Sequence, residues 1–198
     1  MVGASPGLIR LAIVIVLAAA PHGTFAATAT YVATGNCRDG QPHGAYELRM
    51  ADGTLRVAGA FTRGKRTGSF LYWSSAGVRI AHLPFDDDVL SGTVALWYSE
   101  GSPRSEPKSK LEAVYVHGQR AGGVRSWYPN GRPRAEFRYE QGVLAQARAW
   151  NAQGGKLTDA KARAMAAHDV VTDDQFYNTL EAVVRDNPPP CDANGRRT

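Results

Sequence analysis

Glycines recur at a fixed spacing through the middle of this 198-residue chain, and this spacing limits the folds open to it. Two series of glycines advance together by steps of 24, 24 and 30 residues, and the first continues by a further 24. Self-similarity at such a period is typical of one supersecondary unit stacked on copies of itself. Stacking of this kind builds an extended surface more readily than a deep pocket. The series are Gly53, Gly77, Gly101, Gly131 and Gly155, and Gly44, Gly68, Gly92 and Gly122.

Each unit predicts two short strands joined by tight turns. Asp52-Gly53 and Asn130-Gly131 are strong hairpin signals, because hairpin turns need the positive φ that Gly and Asn adopt easily. Apolar and polar residues alternate between the turns, which is typical of an antiparallel sheet with one buried face. We therefore expect a mainly β fold, a meandering sheet of β-hairpin repeats with a period of about 24 residues and a C-terminal α-helical cap. The predicted strands are 44–50, 54–61, 68–74, 78–85, 92–98, 111–115, 122–128, 132–139 and 146–152, with turns between units at 63–64, 87–88, 117–118 and 141–142.

Two columns of side chains follow from this alternation. An aromatic residue precedes each turn between units, and Phe61, Phe85, Tyr115 and Tyr139 predict a ladder in the core. The opposite parity carries a second column, for which two interpretations stay open. It forms either a second buried face beneath the C-terminal helices or an exposed binding platform, since Trp, Tyr and Arg dominate interface energetics. The residues of this candidate surface are Arg49, Trp73, Trp97 and Trp127, flanked by Arg125, Arg134 and Arg138.

The third unit is six residues longer than the others. The extra residues lie within 102–110, where two prolines and four charged residues are incompatible with a core strand. We expect a protruding loop, and long loops are common sites of unit-specific contacts. The residues of this candidate binding loop are Pro103, Arg104, Glu106, Lys108 and Lys110.

The first 26 residues have the composition of a secretory signal peptide. Arg10 precedes an apolar run over 11–20, and Pro21 and small residues lead to Ala26. This order predicts cleavage after Ala26, or after Ala29, and export to the periplasm or the extracellular space. No later segment predicts a transmembrane helix. We therefore divide the chain into a signal peptide (1–26), a lead segment (27–38), the repeats (39–155) and a C-terminal region (156–198).

The C-terminal region is rich in helix formers. Thr158 predicts the N-cap of a helix over 159–167, and a capping-box pattern at 172–175 predicts a second helix, which ends before the prolines at 188–190. Repeat arrays need a closing element, so we expect these helices to cover the C-terminal end of the sheet. The chain has two cysteines, Cys37 and Cys191, and a lone pair that flanks an exported domain predicts a disulfide.

The charge of the chain is modestly positive, at +5, and the repeats carry the excess. Residues 37–155 contain 16 Lys and Arg against 11 Asp and Glu, whereas residues 156–198 contain 6 against 7. Such a region suits an anionic envelope component or a solvated surface. The bases form no cluster typical of nucleic-acid binding, so we expect no nucleic-acid partner.

No residue pattern predicts catalysis, a metal or a cofactor. His43 and His117 lie in turns at different phases of the repeat, and the acidic run 86–88 lacks the alternating oxygen ligands of a calcium loop. The serines beside the turn glycines have no nucleophile-elbow pattern, and the glycines are spaced for turns rather than for phosphates. We therefore expect no catalytic residue, no metal and no cofactor.

Two segments resemble a known repeat. Residues 64–77 (GKRTGSFLYWSSAG) and 118–131 (GQRAGGVRSWYPNG) are similar to the bacterial variant of the MORN repeat, the membrane occupation and recognition nexus. The resemblance covers residues 39–155 in four regular units and one degenerate unit. It implies a meandering β-hairpin sheet that serves as an interaction scaffold, and many bacterial members are described as antitoxin-like.

These features predict an exported, non-enzymatic scaffold that binds another protein. A sharper hypothesis is that it acts as an immunity factor and neutralises a toxin that acts in the cell envelope. The basic repeats suggest an alternative, attachment to an anionic surface such as phospholipid or cell-wall glycan. A third possibility is an enzyme built on the sheet, which would require a cleft of converging carboxylates that the sequence does not predict.

Overall fold

A computed structural model describes residues 30–191, which form one antiparallel sheet of eleven strands packed against one long helix. Except for the two-residue strand Val89–Leu90, strands that follow one another along the chain are neighbours, so the sheet is an open meander, as predicted. The predicted signal peptide lies outside the described residues. The elements are β1 (Tyr31–Arg38), β2 (Gln41–Met50), β3 (Leu55–Thr62), β4 (Lys65–Trp73), β5 (Arg79–Asp86), β6 (Val89–Leu90), β7 (Gly92–Trp97), β8 (Ser109–Val116), β9 (Gln119–Trp127), β10 (Pro133–Glu140), β11 (Val143–Ala149) and α1 (Asp159–Arg185).

The turns between units repeat one geometry. Both central residues have positive φ at 63–64, 87–88, 117–118 and 141–142, as the type I′ hairpin turn requires. Asp39-Gly40 forms a fifth turn of this kind, which joins β1 to β2. The amide of the second turn residue donates to a carbonyl of the preceding unit, as in the Gly64–Pro42 and Gly142–Arg120 bonds. The repeat therefore starts at β1, a strand that the glycine spacing did not predict.

Three glycines of the second series mark bulges inside strands rather than strand starts. Strands β2, β4 and β9 begin three residues before Gly44, Gly68 and Gly122. Each of these glycines has positive φ, and strand pairing shifts register around each. A bulge with positive φ favours glycine, because other residues are strained there. The strand starts predicted at these glycines are therefore three residues too late.

The helix α1 lies across the buried face of the sheet. Its contacts run from β11 and β10 to β4, and beyond its end the Asn187 carbonyl accepts a hydrogen bond from the Tyr46 hydroxyl of β2 at 2.7 Å. The sequence predicted two helices over the C-terminal end of the sheet. The structure has one helix, which contacts β11 at that end and also extends across the buried face. Thr172 caps no second helix, because its hydroxyl donates to the His168 carbonyl within one continuous helix.

The predicted aromatic ladder lies in the core, and arginines interrupt it. Phe61, Phe70 and Phe85 pack edge to face, with ring centroids 5.5–5.6 Å apart. The Arg66 guanidinium then stacks 4.0 Å from the Phe85 centroid. The Arg120 guanidinium lies 5.9 Å from the Tyr115 centroid and 5.7 Å from the Tyr139 centroid. The ladder is therefore aromatic in its first half and mixed aromatic and cationic in its second.

The two ends of the described chain are joined covalently. Cys37 of β1 and Cys191 form the predicted disulfide, which closes a sequence separation of 154 residues. Pro189 packs against Gly35, where an added Cβ would come within 2.9 Å of the proline ring. The segment after α1 is therefore held against the first strand. Among residues 30–191, no helix is both long enough and apolar enough to cross a membrane.

Candidate functional surface

The sheet has one face that α1 does not cover, which we call the open face. Buried residues such as Phe70 and Tyr72 of β4 point toward α1, so the intervening Leu71 points away from it. Strand pairing places one row of these outward residues across the middle of the sheet. In order from β2 to β11, the row is Glu47, Ala58, Leu71, His82, Ala95, Glu112, Arg125, Glu136 and Arg148.

The part of the open face over β4, β5 and β7 is aromatic and apolar, and we call it the aromatic part. Trp73 and Trp97 end β4 and β7, and both are half-buried. The Arg79 guanidinium stacks 4.4 Å from the Trp97 ring. Nearby, the His82 ring nitrogen lies 2.9 Å from the Ser69 hydroxyl, and burial and Arg79 together lower the pKa of His82. Two tryptophans are thus available on this face, one of them held by a cation–π contact.

The loop between β7 and β8 folds back onto the aromatic part. Its base is closed by the Tyr98 amide, which donates to the Lys108 carbonyl at 3.0 Å. Its tip approaches the turn of the preceding unit, because Pro103 lies 3.5 Å from the position of a Cβ on Gly77. A cavity of about 290 Å³ remains between residues 102–107 and the side chains of Trp73 and Arg79. The loop and the tryptophans therefore form one continuous surface.

The part of the open face over β8–β11 is charged, and we call it the charged part. Its central row alternates in sign, as Glu112, Arg125, Glu136 and Arg148. The exposed side chain of Arg125 makes no ion pair and no side-chain hydrogen bond with residues 30–191. A hollow of about 410 Å³ opens beside it over Gly122 and Gly123.

The structure places six of the seven predicted surface residues on the open face. Arg125 and Arg138 are exposed on the charged part, where Arg138 pairs with Glu140 at 3.4 Å, and Arg49 pairs with Glu47 at 3.0 Å on the same face. On β9, Trp127 follows the buried Ser126 and therefore has the orientation of Arg125, while its backbone carbonyl accepts a hydrogen bond from the Tyr98 hydroxyl at 2.7 Å. The open-face placement thus holds for Trp73, Trp97 and Trp127.

Arg134 does not belong to the open face, and this corrects the predicted surface. It is the extra residue of a bulge in β10, so its side chain turns toward α1. There it forms a bidentate ion pair with Asp169, with one N–O distance of 2.8 Å. The Asp169 side chain is 8% exposed. Its charge is therefore neutralised inside the protein.

The predicted loop residues also divide into two groups. Lys108 donates to the Pro129 carbonyl at 3.3 Å, and the Lys110 ammonium lies 5.5 Å from the Phe176 ring of α1. These two lysines belong to β8 and its approach, and they hold structural contacts. Pro103 packs against the preceding turn, while Arg104 and Glu106 are exposed at the tip of the loop.

Sequence analysis missed a set of ion pairs between the buried face and α1. Arg66 bonds Glu181 at 2.9 Å, and Arg120, which is 6% exposed, bonds Asp173 at 2.9 Å. Burial raises the pKa of Asp173, and the charge of Arg120 opposes that rise. A signal was present in the sequence: both arginines follow a turn between units by two residues, and the acids lie at multiples of four residues along the helix.

The described residues contain no group of three or more His, Cys, Asp or Glu side chains placed to bind a metal ion. The open face offers contact area, charge and aromatic rings. No protein-family profile matches the chain, and no curated protein matches it either.

Proposed function

We propose that this protein binds another protein through the aromatic part of the open face and the loop beside it. The observation that carries the proposal is the Trp73–Arg79–Trp97 group, which lies on a sheet face that α1 leaves uncovered. Tryptophan and arginine are the residues most enriched at energetic centres of protein interfaces. The exposed tip of the loop adds contacts that the regular units lack.

The distribution of charge favours a protein partner over an anionic surface. Arg66, Arg120 and Arg134 are paired with acids of α1, so they add no charge to the open face. The charged part alternates in sign instead of forming a basic patch. Attachment to a lipid or glycan surface needs concentrated positive charge, since each exposed base contributes about 1 kcal/mol and salt screens it.

We further propose that the protein acts in the cell envelope, with immunity against an envelope-directed toxin as the sharper form of the function. The Cys37–Cys191 disulfide supports an oxidising compartment. The meander of hairpins with type I′ turns is the architecture that the MORN resemblance implies, and it supports a scaffold role. Membership of the MORN family stays a proposal that rests on the residues 64–77 and 118–131.

Binding should be tested by chemical cross-linking of the disulfide-bonded protein in envelope extract, followed by quantitative mass spectrometry. We expect a cross-linked partner to fall by about tenfold or more with Trp97→Ala, because removing an interface anchor costs about 2 kcal/mol or more. Trp73→Ala and replacement of residues 102–107 by a short Gly-Ser linker should act in the same direction.

The matched control is Val116→Ala, which removes an exposed apolar side chain distant from the aromatic part. Circular dichroism should show that every variant is folded. If Trp97→Ala, Trp73→Ala and the loop replacement all retain the partners of the wild type, the proposal is wrong. Salt-sensitive binding to anionic vesicles that Trp97→Ala leaves intact would favour the anionic-surface alternative.

A further inference from the structure

The charged part of the open face has a symmetry that the aromatic part lacks. Its central row runs Glu112, Arg125, Glu136 and Arg148 across β8, β9, β10 and β11. Neighbouring strands lie about 4.8 Å apart, so the four charges alternate at regular steps along a line of about 15 Å. When this row is reversed and laid against itself, every glutamate meets an arginine.

A two-fold axis that runs along the strands, between β9 and β10, produces this reversal. It sets the open faces of two copies against each other, with Glu112 opposite Arg148 and Arg125 opposite Glu136 of the other copy. An axis along the row would instead place each charge opposite its own copy. Like charges that face each other are unfavourable, so charge complementarity selects the first arrangement.

The next row of the open face is complementary in shape under the same axis. It consists of Val114, Gly123, Arg138 and Gln146 on the same four strands. The reversal sets Arg138 of one copy opposite Gly123 of the other, and the hollow of about 410 Å³ lies over Gly123. The long side chain of Arg138 thus faces the open space over Gly123 of the other copy.

The fold itself does not require a glycine at position 123. Gly123 has no positive φ, and an added Cβ would meet nothing within 4 Å. A glycine inside a strand weakens the strand, because it adds backbone entropy and packs no side chain. Neither backbone conformation nor packing within one copy therefore explains the glycine at this position.

We propose that two copies of this chain associate through the charged part of the open face, about the two-fold axis between β9 and β10. Four strands of about seven residues bury roughly 1,000 Å² in total, which lies at the lower limit of specific interfaces. The dimer is therefore weak and salt-sensitive, and it leaves the aromatic part of each copy free. The inference stands independently of the proposed function, which uses that other part.

Charge reversal in separate chains tests the arrangement directly. We expect Arg125→Glu and Glu136→Arg, each alone, to weaken self-association in sedimentation equilibrium by about tenfold or more, because each puts like charges across the axis twice. An equimolar mixture of the two variants should associate within about threefold of the wild type, since both contacts then pair opposite charges. Raising the salt concentration should weaken the wild-type dimer.

Gly123→Val tests the hollow and should weaken association by about tenfold while the protein stays folded, because the added side chain enters open space. Thr34→Val, an equally exposed substitution on β1, is the matched control and should associate as the wild type does. The inference is wrong if the wild type stays monomeric at about 1 mM, or if the charge variants fail to restore association on mixing. Trp97→Ala should leave the dimer intact while it reduces partner binding, so failure of one proposal is distinguishable from failure of the other.

Discussion

Two glycines of this sheet, Gly59 and Gly123, lie in opposite environments, one tightly packed and one open. Gly59 faces the core, where an added Cβ would lie 2.6 Å from the Phe70 ring. Gly123 faces solvent and has open space around it. Neither has positive φ, so the difference between them is one of space and not of backbone conformation.

The two glycines predict opposite responses to the same substitution. Gly59→Ala should lower the free energy of unfolding by about 1–3 kcal/mol, because the core must shift to admit the methyl group. Gly123→Ala should be neutral or raise it by up to about 1 kcal/mol, because alanine lowers the entropy of the unfolded chain. Urea denaturation with the disulfide intact measures both. Equal midpoints for the two variants would contradict this explanation.

Arg120 is a buried charged residue that bonds polar groups of both the sheet and α1. Its guanidinium bonds the Tyr115 hydroxyl at 3.0 Å and the Asp173 carboxylate at 2.9 Å. We expect Arg120→Met to lower the free energy of unfolding by about 3–5 kcal/mol, because it leaves the largely buried Asp173 carboxylate without its ion-pair partner. The double variant Arg120→Met, Asp173→Leu should recover most of this loss. If the double variant does not recover this stability, the loss in Arg120→Met comes from lost packing and not from the unpaired carboxylate.

At the scale of the elements, α1 is the part of the fold that the sequence described least well. Its face toward the sheet combines small apolar residues, such as Ala162 and Ala166, with the acids that pair with the arginines of the sheet. This composition weakens the apolar periodicity from which a helix is usually recognised. In addition, Thr172 lies in the middle of the helix, although residues 172–175 match the capping-box pattern of a helix N-terminus.

Two threonines of α1 allow a matched test of where the helix begins. The Thr158 hydroxyl accepts a hydrogen bond from the Lys161 amide at the N-terminus, so Thr158→Ala should cost about 1 kcal/mol. Thr172→Ala lies within the helix and should be neutral or stabilise by up to about 0.7 kcal/mol, since alanine is the better helix former. Thermal denaturation followed by circular dichroism compares the two. A larger loss at Thr172 would indicate two helices with a break between them.

At the scale of the whole molecule, the chain is closed at both ends of the sheet. α1 starts after β11, crosses the buried face, and leads to the disulfide with β1. The edge strands of the repeat array are therefore linked through the helix as well as through the sheet. This closure is expected to make unfolding more cooperative than that of an open repeat array.

Removal of the disulfide tests this closure. The variant Cys37→Ser, Cys191→Ser should lose about 2–5 kcal/mol of stability, because the unfolded chain regains the freedom of a very long loop. Hydrogen exchange should become faster first in β1 and in the segment after α1, which the bond holds together. An unchanged urea midpoint in the double variant, or in reduced wild type, would show that packing alone holds the ends.

The hairpin repeat, the turns between units and the alternation that separates the two faces can all be read from the amino-acid sequence. These features are local, because a type I′ turn at Arg63-Gly64 or Gln141-Gly142 depends on a few neighbouring residues. The disulfide was also predictable, since only one pairing of two cysteines exists.

Which face the helix covers, and which charges remain unpaired on the surface, depends on packing between residues far apart in the chain. Arg125 and Arg134 look alike in the sequence, yet one is exposed and the other is bound to Asp169. The difference arises from a bulge at Arg134 and from a helix 35 residues further along the chain. Long-range packing of this kind leaves no local pattern in the sequence.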